Sequence, residues 1–106
     1  DPRLIRICSA LQANPEDSRS APEWSQLAGL SERSLSRLFM QQTGLSFGEW
    51  RQRLRFLAAI EALESTRSVQ DVGFDLGYST SSAFIAMFQR QAGCSPEQYR
   101  RQLRPR

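Results

Sequence analysis

The chain has 106 residues, of which 40% are hydrophobic and 24% are charged. These values are typical of a globular protein and exclude a disordered chain. No apolar run approaches the roughly 20 residues that a membrane-spanning helix needs, and no secretory signal is visible. The formal net charge of +3 is compatible with a nucleic-acid partner but does not by itself indicate one. All 14 basic residues are arginines, whose guanidinium groups can make paired hydrogen bonds to a phosphate or to a guanine edge. A GC-rich genome, which favours arginine codons, gives the same excess of arginine.

The two cysteines, Cys8 and Cys94, have no CxxC spacing, and the chain has no histidine. We therefore predict no metal site and no cofactor. Isolated cysteines in a small chain are more often buried thiols than a disulfide, which fits a cytoplasmic protein. The first residue is Asp1 rather than Met, so we expect the chain to be a fragment of a longer protein with a further domain.

Apolar residues recur with helical spacing along the chain, and no segment of useful length alternates as a strand does. The first helix is predicted between Pro2 and Asn14, with one apolar face made of Leu4, Ile7, Cys8 and Leu11. Six more helices are predicted at about 21–28, 32–43, 47–64, 69–76, 80–92 and 96–103. Most of them follow a serine N-cap and end at a glycine. The pattern therefore predicts an all-α fold with seven helices.

Residues 34–51 can be laid over residues 83–100 without a gap. The matched positions are Phe39 with Phe88, Gln42 with Gln91, Gly44 with Gly93, Ser46 with Ser95, Trp50 with Tyr99 and Arg51 with Arg100. The helix ends, the loop and the start of the next helix all stay in register. This pattern indicates an internal duplication.

Each half contains a short helix, a glycine turn and a longer helix. Ser25 and Gly29 are four residues apart in the first half, as Gly73 and Gly77 are in the second. The small residue allows a close helix crossing, and the glycine accepts a left-handed turn, which is typical of helix-turn-helix units. The second turn is predicted to be one residue longer. An ordinary helical hairpin has the same features, but two copies with matching flanks favour tandem helix-turn-helix units at about 22–43 and 69–92.

The motifs GLSERSLSRLF (29–39), TGLSFGEW (43–50), VGFDLGYSTSSAFIAMF (72–88) and GCSPEQYR (93–100) resemble the AraC/XylS family of bacterial transcription regulators. The resemblance implies one DNA-binding domain over 1–106, with two helix-turn-helix subdomains joined by a long central helix at about 47–64. It implies sequence-specific binding of double-stranded DNA, with recognition helices at about 32–43 and 80–92 in successive major grooves. The sequence departs from the family at Gly73, where Ala is usual, and at Ala86, where a basic residue is frequent.

The family's domain is usually C-terminal to a ligand-sensing or dimerising domain. The resemblance therefore implies that the isolated domain is monomeric and that the parent protein can dimerise through a missing N-terminal domain. RNA polymerase is implied as a second partner, and no membrane is.

The outward faces of the two recognition helices hold the candidate base-reading residues. In the first helix the core anchors leave Arg33, Ser34, Ser36 and Arg37 on the other faces, and the resemblance to the family implies Arg33, Ser36 and Arg37 as base-reading residues. In the second helix the candidates are Ser81, Ser82 and Ile85. Arg37 is the best candidate for a forked contact to guanine; the alternative is a solvated arginine with no fixed partner. Ile85 is equally compatible with a thymine-methyl contact and with peripheral core packing. The first half is thus predicted to supply most direct readout, and the second to rely more on phosphate contacts and DNA shape.

Phosphate contacts are predicted for hydroxyls at helix N-termini and for arginines near helix ends. The candidates are Ser31, Ser79, Thr80, Arg51, Arg90 and Arg100. At least one hydroxyl in residues 79–82 is expected to be only a helix cap. The resemblance implies that Arg55, which matches a structural position of the family and lies beside the apolar stripe of the central helix, is structural.

Two other classes of function were weighed against DNA binding. The sequence lacks a catalytic histidine, a phosphate-binding glycine loop and a serine nucleophile motif, so an enzyme is not predicted. The acidic pairs Asp71/Asp75 and Glu61/Glu64 are interpreted as solvated faces. A helical protein-interaction module without DNA binding remains the alternative, and the salt dependence of binding would distinguish it.

Overall fold

A computed structural model describes residues 1–103, which contain seven α-helices and no strand. The helices are α1 (Pro2–Ala13), α2 (Ala21–Leu27), α3 (Glu32–Thr43), α4 (Phe47–Ala62), α5 (Val69–Asp75), α6 (Ser81–Ala92) and α7 (Pro96–Leu103). The predicted all-α fold, with two helix-turn-helix units and a long helix between them, is confirmed. Within these residues no helix is both long and apolar enough to cross a membrane. The chain divides into two compact units, Asp1–Gln52 and a second that begins at Arg53.

Side-chain caps explain where the helices of each unit begin. Ser20 and Glu23 form a capping box at the start of α2, in which each side chain accepts a hydrogen bond from the other residue's backbone N–H. The Ser31 hydroxyl accepts from the backbone of the third residue of α3, and Thr80 does the same for α6. Helices α3 and α6 therefore start with a short hydroxyl side chain beside their free backbone amides.

The turns after α2 and α5 share one hydrogen-bond pattern. Leu30 N–H donates to the Ser25 carbonyl at 2.9 Å, and Tyr78 N–H donates to the Gly73 carbonyl at 3.1 Å. Each bond spans a glycine in the left-handed region, with φ of 69° at Gly29 and 91° at Gly77. A backbone hydrogen bond that closes over a left-handed glycine in this way is characteristic of the Schellman motif.

The second turn is one residue longer, as predicted. Only Leu30 separates Gly29 from the α3 cap Ser31, whereas two residues separate Gly77 from the α6 cap Thr80.

Equivalent aromatic pairs anchor the second helix of each helix-turn-helix unit. Phe39 of α3 is fully buried, and its ring centroid lies 5.6 Å from that of Trp50 in α4. Phe88 of α6 is also fully buried, and its ring lies 5.7 Å from that of Tyr99 in α7. These are the pairs that the internal duplication matches. The duplication therefore extends from the sequence to the packing of each core.

Gly73 in α5 lies against the buried Phe84 of α6. A Cβ atom added at Gly73 would be 3.0 Å from Cβ, Cγ and Cδ2 of Phe84. The first unit has Ser25 and Leu35 at the equivalent positions, and both are buried. The absence of a side chain at position 73 thus accommodates a larger side chain at position 84 than the first unit has at the equivalent position.

Candidate nucleic-acid interface

The exposed face of α3 carries the first set of predicted base-reading residues. Leu35 and Phe39 are buried and fix the inner face of the helix. Arg33, Ser36 and Arg37 are all exposed on the other side. Neither arginine forms a hydrogen bond or an ion pair with the part of the chain that the structure describes. Both guanidinium groups are therefore available to acceptors outside the protein.

The N-terminus of α3 holds the predicted phosphate contact Ser31. Its Oγ accepts a hydrogen bond from Ser34 N–H at 3.0 Å and donates one to Ser34 Oγ at 2.9 Å. Ser31 is therefore engaged as a helix cap in the free protein. Backbone amides at the start of a helix carry a partial positive charge, which favours a phosphate nearby.

The second set of predicted base-reading residues lies on α6. Phe84, Met87 and Phe88 are buried, so the opposite face points outward. Ser82 is exposed, while Ser81 and Ile85 are half-buried. The half-buried state of Ile85 leaves part of its side chain for an external apolar contact and packs the rest against the protein.

The hydroxyl cluster before α6 divides into a cap and its neighbours. Thr80 is the N-cap, and its Oγ1 accepts from Ala83 N–H at 3.1 Å. Ser79 and Ser82 on either side are exposed. The residue that serves as the cap in this cluster is thus Thr80.

Arg51 and Arg100, both predicted phosphate contacts, point into their own units. Both Arg51 Nη atoms donate to backbone carbonyls before α2, those of Asp17 and Arg19. Arg100 Nε donates to the carbonyl of Leu63, just after α4, at 3.2 Å. These arginines occupy matched positions in the repeat, and each ties the last helix of its unit to the chain before the helix-turn-helix. The duplication itself was the signal for this shared structural contact.

Arg90 differs from that pair because it is exposed at the end of α6. Its Nε donates to the Ala86 carbonyl one turn earlier at 3.4 Å, a long and weak contact. The side chain remains accessible to a phosphate.

Arg55 of α4 lies over the ring of Tyr78, with its guanidinium carbon 5.5 Å from the ring centroid. Burial raises the pKa of Tyr78, and the positive charge of Arg55 partly opposes that rise. This position within the second unit agrees with the structural role expected for Arg55.

Two exposed residues on the recognition helices were missed by the sequence reasoning. Met40 extends the row of Arg33, Ser36 and Arg37, and Gln89 extends the row of Ser82, Ile85 and Ala86. Each row has the spacing i, i+3, i+4, i+7, which places its members on one helical face. Neither residue is in the predicted base-reading set, although the helical period places each on the same face as that set.

A family model described as a helix-turn-helix domain matches residues 24–102. The HTH-type transcriptional regulator NimR of Escherichia coli is 35% identical over 98 residues, which are 92% of this chain and 36% of NimR. The chain spans about a third of the length of the curated relatives it matches.

Solved structures with the same fold match over nearly the whole chain. The DNA-binding domain of AdpA, a global transcriptional factor in complex with a target DNA, has a TM-score of 0.89 and 27% identity, and the match covers 94% of this chain and 91% of that one. The C-terminal domain of AraT, a response regulator from Geobacillus stearothermophilus, has a TM-score of 0.92 and 25% identity, with 100% and 89% covered.

Proposed function

We propose that this chain, which belongs to the AraC-type family of helix-turn-helix domains, is the sequence-specific DNA-binding domain of a bacterial transcription regulator. The similarity to the AdpA domain, whose structure contains a target DNA, carries the proposal. The proposed domain comprises residues 1–106, with helix-turn-helix units at about 22–43 and 69–92.

In this proposal α3 and α6 are recognition helices that enter successive major grooves. Each has 12 residues and is therefore about 18 Å long, and a helix fits the major groove, which is roughly 12 Å wide. Arg33 and Arg37 of α3 present free guanidinium groups, which suit the O6 and N7 acceptors of guanine. On α6, Ser81 and Ser82 supply hydroxyls and Ile85 supplies an apolar surface for a thymine methyl.

Phosphate contacts come from Arg90 and from the N-termini of α3 and α6, where Ser31, Ser79 and Thr80 lie. Arg51 and Arg100 are assigned a different role from the one that the sequence suggested. Because both donate to backbone carbonyls within their units, we propose that they support the helix-turn-helix units and do not contact phosphate.

Further partners follow from the same proposal. Binding to chromosomal DNA would place the protein in the bacterial cytoplasm, where RNA polymerase is a second partner. The isolated domain acts as a monomer, and ligand sensing and dimerisation belong to another part of the parent protein.

The first test of the proposal is the salt dependence of binding to duplex DNA. A chain that neutralises several phosphates releases their counterions, so the logarithm of its affinity should fall linearly with the logarithm of salt concentration. Duplex binding that is absent, or that is insensitive to salt, would instead support a protein-interaction module.

The second test compares the two reading helices on one duplex selected from a random library. Arg37→Ala should weaken binding by about 1–3 kcal/mol, the range for losing a forked arginine–guanine contact. Ser82→Ala should weaken it less, because a hydroxyl makes a single contact. An equal loss for the two variants, or a larger loss for Ser82→Ala, would contradict the dominant role of α3 in base readout.

A further inference from the structure

The outward row of α6 continues beyond Ala86 into the third turn of the helix. Ser82, Ile85 and Ala86 are followed by Gln89, which is exposed and three residues beyond Ala86. Its side-chain amide forms no hydrogen bond within the described residues. The amide therefore has its full donor and acceptor capacity available to an external partner.

The spacing of this row is one that a single helix can use in a major groove. Homeodomains read base edges with side chains at i, i+3, i+4 and i+7 of their recognition helix. Positions 82, 85, 86 and 89 repeat that spacing. Hence a residue in the third turn of a groove-bound helix can still reach a base, even though the helix N-terminus enters first.

Resting on the DNA-binding function proposed above, we propose that Gln89 reads an adenine in the part of the operator that α6 contacts. A glutamine amide matches adenine in the major groove, because its oxygen accepts from N6 and its nitrogen donates to N7. The neighbouring Ala86 is small, so no long side chain from the preceding turn competes for the same base edge.

The equivalent position in the first unit distinguishes the two halves of the operator. There the repeat places Met40, which is also exposed but has no amide. The arginines of α3 can donate two hydrogen bonds to guanine. The base-reading row of α6 has no charged side chain, so Gln89 is the residue in that row that can form a pair of hydrogen bonds with one base. The operator should therefore contain a required guanine under α3 and a required adenine under α6.

The experiment first selects bound duplexes from a random library with the unaltered chain. Affinities are then measured for duplexes that carry each of the four bases at each selected position. Gln89→Ala should reduce the preference for adenine at one position, by about 5- to 150-fold, and leave the other positions unchanged. Gln89→Glu should move the preference at that position to cytosine, because a carboxylate accepts from cytosine N4.

Gln12→Ala is the matched control, since Gln12 is an exposed glutamine on α1, away from both recognition helices in the sequence. It should leave base preference unchanged at every position. An unchanged adenine preference in Gln89→Ala, or a uniform loss of affinity for all duplexes, would overturn the assignment while the DNA-binding function stands. If the unaltered chain selects no sequence at all, both the assignment and the proposed function fail. Thermal unfolding should be the same for all variants, because the altered side chains are exposed.

Discussion

Replacing Gly73 with Ala is expected to destabilise the second unit, although Ala is the better helix former. The added methyl would lie 3.0 Å from three carbon atoms of Phe84. Phe84 has little freedom to move, because it is fully buried and its ring packs against Tyr78 at 5.6 Å and Phe88 at 6.2 Å between centroids. The methyl group therefore enters a space that the aromatic ring already fills.

Two opposing terms set the expected magnitude. Ala in a helix interior is favoured over Gly by about 1 kcal/mol. An extra methyl in a well-packed core costs about 1–3 kcal/mol. The net expectation is a loss of about 1 kcal/mol in the free energy of unfolding, which corresponds to roughly 4–8 °C in the melting temperature of a domain this size.

Gly48→Ala is the matched control. Gly48 is an exposed residue of α4, and nothing lies within 4 Å of a Cβ built on it. It should raise stability by less than the roughly 0.5–1 kcal/mol of a mid-helix position, because Gly48 is the second residue of α4. A second control places Gly73→Ala in a Phe84→Leu background, which resembles the Ser25 and Leu35 pair of the first unit. In that background the Ala substitution should become neutral or stabilising, which a double-mutant cycle would record as coupling.

Urea unfolding can assign the effect to a unit. Both tryptophans, Trp24 and Trp50, lie in the first unit, and both tyrosines, Tyr78 and Tyr99, lie in the second. The loss should therefore appear in circular dichroism and tyrosine emission. If Gly73→Ala stabilises the protein as much as Gly48→Ala does, the contact with Phe84 does not restrict position 73 and the reasoning is wrong.

Two further predictions concern the arginines and pH. Arg100→Ala should lower the free energy of unfolding by about 1.5–3 kcal/mol, the range for a hydrogen bond to a charged group. Arg90→Ala should leave unfolding unchanged and reduce the salt slope of DNA binding by about 1. The reverse result would exchange their proposed roles. Burial raises the pKa of Tyr78 above its ordinary value of about 10. The stability that the neutral phenol contributes is therefore fully present below the ordinary, unfolded-state pKa, and it is lost as pH rises through the folded-state pKa. Tyrosinate absorbance should detect this late ionisation, and Tyr78→Phe should remove that part of the alkaline dependence; a titration with both tyrosines at the ordinary pKa would contradict it.

Local signals in the sequence were sufficient to locate the helices. The N-cap serines and closing glycines place α3 at Glu32–Thr43, the same bounds that the sequence predicted. The largest difference is at the end of the central helix, because α4 stops at Ala62, two residues before the predicted end. Helices α2 and α5 each end one residue earlier than predicted, and α6 begins one residue later. Caps and left-handed glycines act within a few residues, so a sequence displays them directly.

The roles of the long side chains were harder to predict. Arg33 and Arg51 are the same residue type near helix starts. The Arg33 side chain has no hydrogen bond or ion pair within residues 1–103, whereas Arg51 reaches backbone carbonyls more than 30 residues away. That contact depends on how distant segments pack, which periodicity does not report. The matched positions of Arg51 and Arg100 in the two halves were the available sign that both make such a contact.

The outward row of α6 has a consequence for how new operators arise. Ser82, Ala86 and Gln89 are exposed and lie apart from the buried Phe84, Met87 and Phe88 that hold the helix in place. Given the base-reading role proposed for α6, substitutions in this row would change what the helix reads with little effect on folding, since exposed positions usually tolerate exchange within about 0.5 kcal/mol. Natural divergence or laboratory selection can therefore explore binding preferences on α6 while the scaffold stays intact.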